Sequence, residues 1–467
     1  MTTELPPRTP TSSEVSLIHM IDQLSHVRPA DVLLPNRQLR QSDARLVQKW
    51  KKSIEEHGFV VPLVLDDQNL LVHGEEALAA AVLLGMPHVP VVRVGHLDHV
   101  QKRALRLALE RLGELPTWDN VALADELSDL IDLGVDITDT AFEVAEADII
   151  ISENLIATRD DAIDDIPPVP TGDPISRLGD VWRCGDHLVA CGDARNVNLI
   201  KRLASGRPVR MVITDPPYGV PIKGFVSGNG KAVHDDFVMG AGEMSDDEFA
   251  EFLVDFLTAS ASSLVDGGLL YSFIDWRHVA ELIGAGTSQG LELLNLCVWN
   301  KSNAGMGSFY RSKHELIAVF KSGTAPYTNN IELGRHGRNR TNVWDCDGAN
   351  SFNKNLREEL ANHPTQKPVA LIADAIRDAS APSEFILDPF LGGGTTMVAC
   401  EETKRRCIGI ELDPKFVDVS LSRWQKLSGL DAVHVLSGLT FSEIAKRRSE
   451  GPAGGAASLG AGSGADV

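Results

Sequence analysis

Cysteine is scarce in this chain, with six residues in 467 and no Cys-x-x-Cys pair. That scarcity argues against a disulfide framework and against the usual zinc templates. Long apolar runs are also missing, and the polar, proline-rich start has neither the basic nor the apolar part of a signal peptide. We therefore expect reduced thiols, no metal site, no membrane partner and a cytoplasmic protein.

Basic side chains are outnumbered, with 44 Lys and Arg against 65 Asp and Glu and a formal net charge of -21. Over the whole chain this charge argues against nucleic acid as a partner. However, residues 118–165 contain fifteen acidic residues and one basic residue, Arg159, a balance of -14. Two thirds of the excess negative charge thus lies in one segment that need not touch the partner.

Patterning divides the chain into five parts. Residues 1–16 are polar and proline-rich and are predicted to be disordered. Residues 17–97 combine helical periodicity, a hairpin pattern and a strand, as in a small α+β domain. Residues 98–165 form an acidic helical segment and linker. Residues 166–448 alternate strands and helices, as in an α/β sheet, and residues 449–467 form a small-residue tail that is predicted to be disordered.

The segment EFILDPFLGGGTTMVAC, residues 384–400, has the pattern of a buried strand, an aspartate, a glycine turn and the start of a helix. Glycines let the backbone approach a ligand closely, and a helix N-terminus offers free N–H groups. Glu411 ends the next strand pattern, 17 residues after Gly394, and an acidic residue near that spacing usually binds ribose hydroxyls. The alternative for the glycine triplet is a tight turn without a ligand.

This candidate site is not built for a pyrophosphate. Its loop reads D-P-F-x-G-x-G rather than G-x-G-x-x-G, and no phosphate-binding loop ending in Gly-Lys follows a strand. Asp388 beside the turn can accept a hydrogen bond from an ammonium group, and the open turn admits an adenosyl group. These features favour S-adenosylmethionine as the cofactor.

Four motifs carry a resemblance to a known family. They are TDPPYG at 214–219, NHPTQKPVAL at 362–371, LDPFLGGGTT at 387–396 and GIELDP at 409–414. In this order they resemble the permuted β group of the amino-methylating (adenine-N6/cytosine-N4) DNA methyltransferases. The resemblance implies a Rossmann-like, S-adenosylmethionine-dependent methyltransferase fold with a mixed seven-stranded sheet. It also implies a site at the carboxyl ends of the strands, a double-stranded DNA substrate, a homodimer, and a bacterial or phage origin.

The stretch ITDPPYGV, residues 213–220, is on its own compatible with a simple turn. An adenine or cytosine amino nitrogen is a poor nucleophile, because its lone pair is delocalised into the ring. By the resemblance, Asp215 and the carbonyl of Pro216 accept the two amino N–H groups. Pro217 then holds the preceding residue extended, and Tyr218 stacks on a base flipped out of the duplex. These four are the predicted catalytic residues.

The resemblance assigns further residues to the cofactor and to DNA. The cofactor set is Asp193, which would hold the adenine amino group, and His363, Thr365, Lys367, Asp388, Phe390, Gly392, Gly394, Thr395 and Glu411. The DNA set is Lys301, Asn303, Arg311, Arg335, Arg338 and Arg340, the last three within a predicted target-recognition region at 325–362. The alternatives are a plain turn at Asp193, a loop and helix cap around Lys367, and a solvated face for the arginines.

Residues 17–97 resemble the ParB-like nuclease and partition fold. They read Gly74-Glu75-Glu76-Ala77 where that family has Gly-x-x-Arg, so the arginine that contacts a nucleotide or phosphate is missing. We therefore expect an accessory DNA-binding or protein-docking module rather than a second enzyme.

The leading hypothesis for the whole chain is a site-specific DNA adenine-N6 methyltransferase. Cytosine N4 is the nearest rival, because the same acceptors hold either amino group; in the family, Asp before Pro-Pro-Tyr favours adenine and Ser favours cytosine. A methyltransferase of RNA or protein glutamine would more often carry Asn at position 215. A partition-type DNA-binding protein with a decayed cofactor site belongs to a different class, and the intact motifs argue against it.

Overall fold

The computed structural model describes residues 24–37, 43–113, 117–158, 161–218, 244–302, 309–335, 338–346 and 367–449. The chain divides into two compact units, residues 1–143 and 144–467. The boundary between them falls inside the predicted acidic helical segment, 98–165. Residues 1–16 and 450–467, which make up nearly all of the predicted disordered ends, lie outside the described part.

The first unit is a small α+β arrangement. Its strands are β1 (Ser25–Val27), β2 (Leu63–Leu65), β3 (Leu71–His73) and β4 (Val89–Arg93). Its helices are α1 (Ala44–His57), α2 (Glu75–Leu83), α3 (His99–Leu112) and α4 (Asn120–Asp132), with 3-10 turns at Pro29–Asp31 and Ile137–Thr140. The strands form one sheet in the order β1-β4-β2-β3. The predicted helical periodicity, hairpin and strand are all present.

Helix α1 shows how local sequence fixes these elements. At its start, the carboxylate of Asp43 accepts a hydrogen bond from the Arg45 amide, which satisfies a donor that the helix cannot. At its end, Gly58 has a φ of 79°, a conformation that glycine adopts without strain. Val47 and Ile54, seven residues apart, lie on the buried face. Two end signals and one apolar stripe therefore account for the helix.

The second unit is built on a ten-stranded mixed sheet. Its strands are β5 (Val181–Cys184), β6 (His187–Cys191), β7 (Val209–Thr214), β8 (Leu264–Ile274), β9 (Glu292–Asn300), β10 (His314–Lys321), β11 (Val343–Asp345), β12 (Phe385–Asp388), β13 (Arg406–Glu411) and β14 (Val433–His434). Its helices are α5 (Val144–Thr158), α6 (Val197–Leu203), α7 (Asp246–Ala261), α8 (Val279–Ser288), α9 (Val369–Ala379), α10 (Thr395–Glu402), α11 (Pro414–Ser428) and α12 (Phe441–Ser449). None of the helices in the described ranges is long and apolar enough to cross a membrane.

The predicted seven-stranded mixed sheet is confirmed as the centre of this larger sheet. The full order is β11-β9-β10-β8-β7-β12-β13-β6-β5-β14, and the central seven strands run from β9 to β6. Strands β8, β7, β12, β13 and β6 are mutually parallel, and β10 is antiparallel to both of its neighbours. Buried apolar layers cover both faces. The carboxyl ends of β7, β12 and β13 therefore meet at one edge of the sheet.

A buried ion pair attaches helix α5 to the rest of the second unit. The guanidinium of Arg405 donates two bonds, of 2.6 and 2.8 Å, to the carboxylate of Asp148, and both side chains are buried. Arg405 also donates to the carbonyls of Thr403 and Ser380. Two parallel charge-assisted bonds of this kind fix orientation as well as distance.

Replacing Asp148 with alanine should lower the free energy of unfolding of the second unit by about 3–5 kcal/mol, because a buried guanidinium charge loses its partner. The matched control is Asp186→Ala, which removes an ion pair between Arg406 and a carboxylate that is 73% exposed. This control should cost less than about 1 kcal/mol. Chemical denaturation followed by tryptophan fluorescence measures both. Equal losses in the two variants would contradict the importance of the buried pair.

Candidate active site

The predicted catalytic residues lie at the carboxyl end of strand β7. Asp215 follows the last residue of that strand, and Lys367 Nζ donates to its Oδ2 at 2.5 Å. Tyr218 Oη lies 2.6 Å from Asp215 Oδ1 and 3.1 Å from Glu315 Oε2. Lys367 Nζ is also 3.1 Å from Glu315 Oε2. One ammonium group and one phenol thus bridge two carboxylates.

Glu315 is the member of this cluster that sequence reasoning missed. It lies at the start of β10 and pairs in register with Trp299 of β9. Lys301, just beyond β9, donates to the other Glu315 oxygen, and its ammonium group lies 4.4 Å from the Trp299 ring. The available signal was the charged Lys313-His314-Glu315 run directly before a buried apolar strand.

Burial and charge oppose each other in the cluster. Burial favours the neutral form of both carboxyl groups, and it raises the pKa of Asp215. For Glu315, the ammonium groups of Lys367 and Lys301 outweigh burial and hold its pKa below the usual range. The two carboxylates likewise outweigh burial at Lys367 and raise its pKa. Lys367 is therefore a cation, and together with Lys301 it balances the charges of the two carboxylates.

The cofactor motif and the catalytic motif are joined by one hydrogen bond. Thr214, the residue before Asp215, donates its hydroxyl to Asp388 Oδ1 at 2.8 Å. Thr396 donates to Asp388 Oδ2 at 2.6 Å, and the Phe390 amide donates to Oδ1 at 3.0 Å. Burial raises the pKa of Asp388 to about 6 despite these donors. The two motifs thus form one continuous site.

Glu411 closes the other side of the glycine turn. Its Oε2 accepts a 2.9 Å bond from the Gly392 amide, and its Oε1 accepts a 2.8 Å bond from the Asp413 amide. Each oxygen keeps a lone pair, as a vicinal diol would require. Gly394 opens helix α10 with a φ of 82°, and a Cβ there would lie 3.0 Å from the Ser420 Cβ. The turn therefore fits a ribose and tolerates no side chain at that position.

Other predicted cofactor residues have partners within the protein. Arg195 holds Asp193 with bonds of 2.8 and 3.1 Å, the geometry of a structured turn. The Phe390 ring packs against the rings of two phenylalanines of α7, and the Thr395 hydroxyl contacts Arg423. His363 and Thr365 lie outside the described residues. The cofactor roles of these residues stay predictions.

The predicted DNA-binding residues differ in their burial and in their partners. Arg338 and Arg340 donate to Asp378 of α9, and Arg340 donates to Asp374 as well. Their side chains are only 9% and 19% exposed, so this geometry favours a structural role for them in place of the predicted phosphate contact. Arg311 is exposed, and Arg335 pairs with a glutamate on the surface. Asn303 lies outside the described residues.

Comparison with known proteins agrees with this geometry. Residues 209–422 match the family described as DNA methylase, which carries the N6/N4 methyltransferase label. The chain carries a DNA methylase domain of the N6/N4 family. A second match, to the ParB-methyltransferase HTH domain, covers residues 121–178. The sequence alone had predicted only an acidic helical segment and a linker over most of that range.

Several relatives are type II DNA methyltransferases. M.HpaI from Haemophilus parainfluenzae is 24% identical over 263 residues, which cover 53% of this chain and 77% of the relative. M.Cfr9I from Citrobacter freundii is 29% identical over 282 residues, covering 50% of this chain and 86% of the relative. The solved structure of the cytosine-N4-specific PvuII DNA methyltransferase is 16% identical with a TM-score of 0.41, covering 60% of this chain and 95% of that one.

One similar solved structure contains the cofactor. It is a DNA modification methylase of Thermus thermophilus complexed with S-adenosyl-L-methionine, 21% identical with a TM-score of 0.37. It covers 54% of this chain and 96% of that one. S-adenosylmethionine is the methyl donor of the family, in agreement with the cofactor predicted from the sequence.

The raised pKa of Glu411 makes a pH prediction possible. Burial raises this pKa to about 7, so the folded protein holds the proton more tightly than the unfolded chain does. This carboxyl group therefore destabilises the fold progressively as pH rises from about 4.3, the unfolded pKa, through about 7. Glu411→Gln removes that effect. Its melting temperature should rise relative to that of the unaltered protein as pH increases from about 5 to about 8.

Glu251→Gln, an exposed change on α7, is the control and should follow the unaltered protein at every pH. Differential scanning calorimetry across the pH range measures all three proteins. A constant difference between Glu411→Gln and the unaltered protein would show that Glu411 titrates normally.

Proposed function

We propose that this protein is a site-specific DNA methyltransferase that methylates the N6 amino group of adenine in a base flipped out of double-stranded DNA. The observation that carries the proposal is the meeting of Asp215 and Tyr218 with the glycine turn through the bond between Thr214 and Asp388. A target acceptor and a cofactor cradle are then adjacent along one sheet edge. Adjacent sites are what a direct transfer between two bound reactants requires.

S-adenosylmethionine fits the cofactor side of the site. Glu411 offers two acceptor oxygens to the ribose hydroxyls, and Asp388 supplies a carboxylate near the methionine end. When bound, the cofactor supplies a methyl group on a positively charged sulfur, which is already reactive toward nucleophiles. The protein therefore has to orient the amino nitrogen and keep water away.

On the target side, Asp215 is the acceptor that turns the amino lone pair outward. Its carboxylate accepts one amino N–H and the Pro216 carbonyl accepts the other, so the lone pair is directed away from the base plane. The nitrogen carries an extra proton once it has gained the methyl group. Asp215 lies where it can take that proton, and Tyr218 connects it to the second carboxylate, Glu315. Tyr218 also offers a ring face on which the flipped base can stack.

We propose adenine rather than cytosine as the target base, because the family has Asp before Pro-Pro-Tyr more often in enzymes that act on adenine. The relatives do not decide between the bases, since one similar solved structure is named as cytosine-N4-specific. A restriction-modification role and a homodimer follow the same resemblance. The first unit, with its ParB-like sequence, acts as an accessory module.

Loss of Asp215 should abolish methylation. In Asp215→Ala the amino group has no carboxylate to orient it, and turnover should fall by at least about 10²-fold, the usual loss for one transition-state hydrogen bond. Single-molecule sequencing of plasmid from a methylation-free host should show a modified adenine in one short motif for the unaltered protein and for the surface control Asp186→Ala. The modification should be missing for Asp215→Ala. Persistent modification in that variant would refute the assignment of Asp215.

Loss of the Lys367 charge should move the pH dependence of turnover. In Lys367→Met the two carboxylates lose their shared cation, so the pKa of the pair rises and a higher pH is needed to ionise Asp215. The acid limb of the kcat profile should move upward by about one pH unit or more. Lys321→Met, which removes an ion pair with the exposed carboxylate of Glu292, is the control. An unchanged acid limb would mean that Lys367 does not set the ionisation of the pair.

A further inference from the structure

The segment that leads from helix α5 into the methylase domain contacts the predicted cofactor loop. We propose that residues 163–166, together with Arg423, position the glycine turn and the start of α9, so that cofactor affinity depends on this connecting segment. The inference rests on the proposed function because it concerns the same cofactor site. It assigns a role to residues that no catalytic motif contains.

Arg423 of α11 connects the segment to the glycine turn. Its Nη1 donates to the Gly393 carbonyl at 3.0 Å and to Thr395 Oγ1 at 3.2 Å, and its Nη2 donates to the Ile163 carbonyl at 3.0 Å. The side chain is only 4% exposed, and burial lowers its pKa to about 10. Within the described residues, the bonds of this buried guanidinium go to carbonyl and hydroxyl oxygens. It joins the connecting segment to the glycine turn, and the nearby carboxylates of Asp164 and Asp165 offset part of the effect of its burial.

Ile166 fills the space beside the middle glycine of the turn. A Cβ built on Gly393 would lie 2.7 Å from Ile166 Cδ1, which is closer than carbon atoms can approach. The connecting segment thus packs directly on Gly393, and a side chain at this position would force Ile166 to move. Gly393 is the middle glycine of the triplet, the one for which the cofactor motif alone gives no reason.

Asp164 connects the same segment to the start of helix α9, next to Lys367. Its Oδ1 accepts a 2.8 Å hydrogen bond from the amide of Val369. This amide lies in the first turn of α9, where backbone N–H groups have no partner within the helix. Val369 is two residues beyond Lys367, whose ammonium group contacts Asp215. Ile163, Asp164 and Ile166 thus connect this segment to both the glycine turn and the start of α9.

The flanks of the segment are also tied to the methylase domain. On one side Asp148 of α5 is bonded to the buried Arg405, and on the other the amides of Ile175 and Ser176 donate to Asp418 of α11. Asp148, Ile175 and Ser176 lie in the range that matches the ParB-methyltransferase HTH domain. Their partners, Arg405 and Asp418, lie in the range that matches the DNA methylase family. A DNA-reading helix is expected to be basic, whereas residues 118–165 are strongly acidic. The charge thus favours a positioning role for this stretch.

The test measures cofactor affinity in full-length protein without DNA. Isothermal titration calorimetry with S-adenosylmethionine and S-adenosylhomocysteine should show roughly tenfold weaker binding for Ile166→Ala and for Asp164→Ala, equivalent to the loss of one good contact. Asp164→Asn should bind nearly as well as the unaltered protein, because the amide oxygen still accepts the Val369 N–H. Asp173→Ala, an exposed change in the same stretch, is the control. Ile166→Val provides a milder version of the same comparison should the alanine variant fail to fold.

Dissociation constants within twofold of the unaltered value for both Ile166→Ala and Asp164→Ala would overturn the inference, as would a lower melting temperature with unchanged affinity. Failure of the proposed function gives a different pattern. If the unaltered protein binds the cofactor and the variants bind it weakly, yet no DNA is methylated, the positioning role stands and the proposed reaction falls. If the unaltered protein binds neither compound, both fall.

Discussion

The ammonium group of Lys367 between two carboxylates is the interaction on which the site depends. Asp215 and Glu315 share one tyrosine hydroxyl at a buried sheet edge, where two negative charges could not both persist without a cation. Asp215 follows β7, Glu315 begins β10, and Lys367 precedes α9, so one charge cluster fixes three elements that are distant in the chain. On the proposed function, a target amino group would approach the Asp215 carboxylate that Lys367 contacts, so binding of the base would displace this cation.

The distance between the two halves of the site follows from a single dipeptide. Thr214 bonds to Asp388 beside the glycine turn, whereas its neighbour Asp215 contacts Lys367 and Tyr218. No loop intervenes, so the sheet itself sets the distance between the carboxylates of Asp215 and Asp388. Side chains on rigid elements hold reacting groups more closely in position than side chains on loops do.

Much of this arrangement could be predicted from the sequence. Asp215, Asp388 and Glu411 each end a strand pattern, and the carboxyl ends of parallel strands meet at one edge, so their proximity required no knowledge of tertiary contacts. The seven-stranded mixed sheet was implied by the resemblance to the DNA methyltransferases. The three edge strands span two to four residues, too few to show a period, and they were missed.

The remaining parts depend on contacts between residues far apart in sequence. Glu315 and Arg423 look like ordinary charged residues beside apolar runs, and only the fold shows their partners. Arg338 and Arg340 were predicted to bind DNA because a run of arginines in an acidic chain is conspicuous. Their carboxylate partners lie one helical turn apart on α9, a match that a linear reading does not display.

The most direct test of the account is the chemical identity of the product. Purified protein would be incubated with unmethylated DNA and S-adenosylmethionine bearing a deuterated methyl group, and the digested nucleosides would be analysed by mass spectrometry. We expect the labelled methyl group on the N6 nitrogen of deoxyadenosine. Label on deoxycytidine would contradict the choice of base, and DNA without label would contradict the proposed reaction.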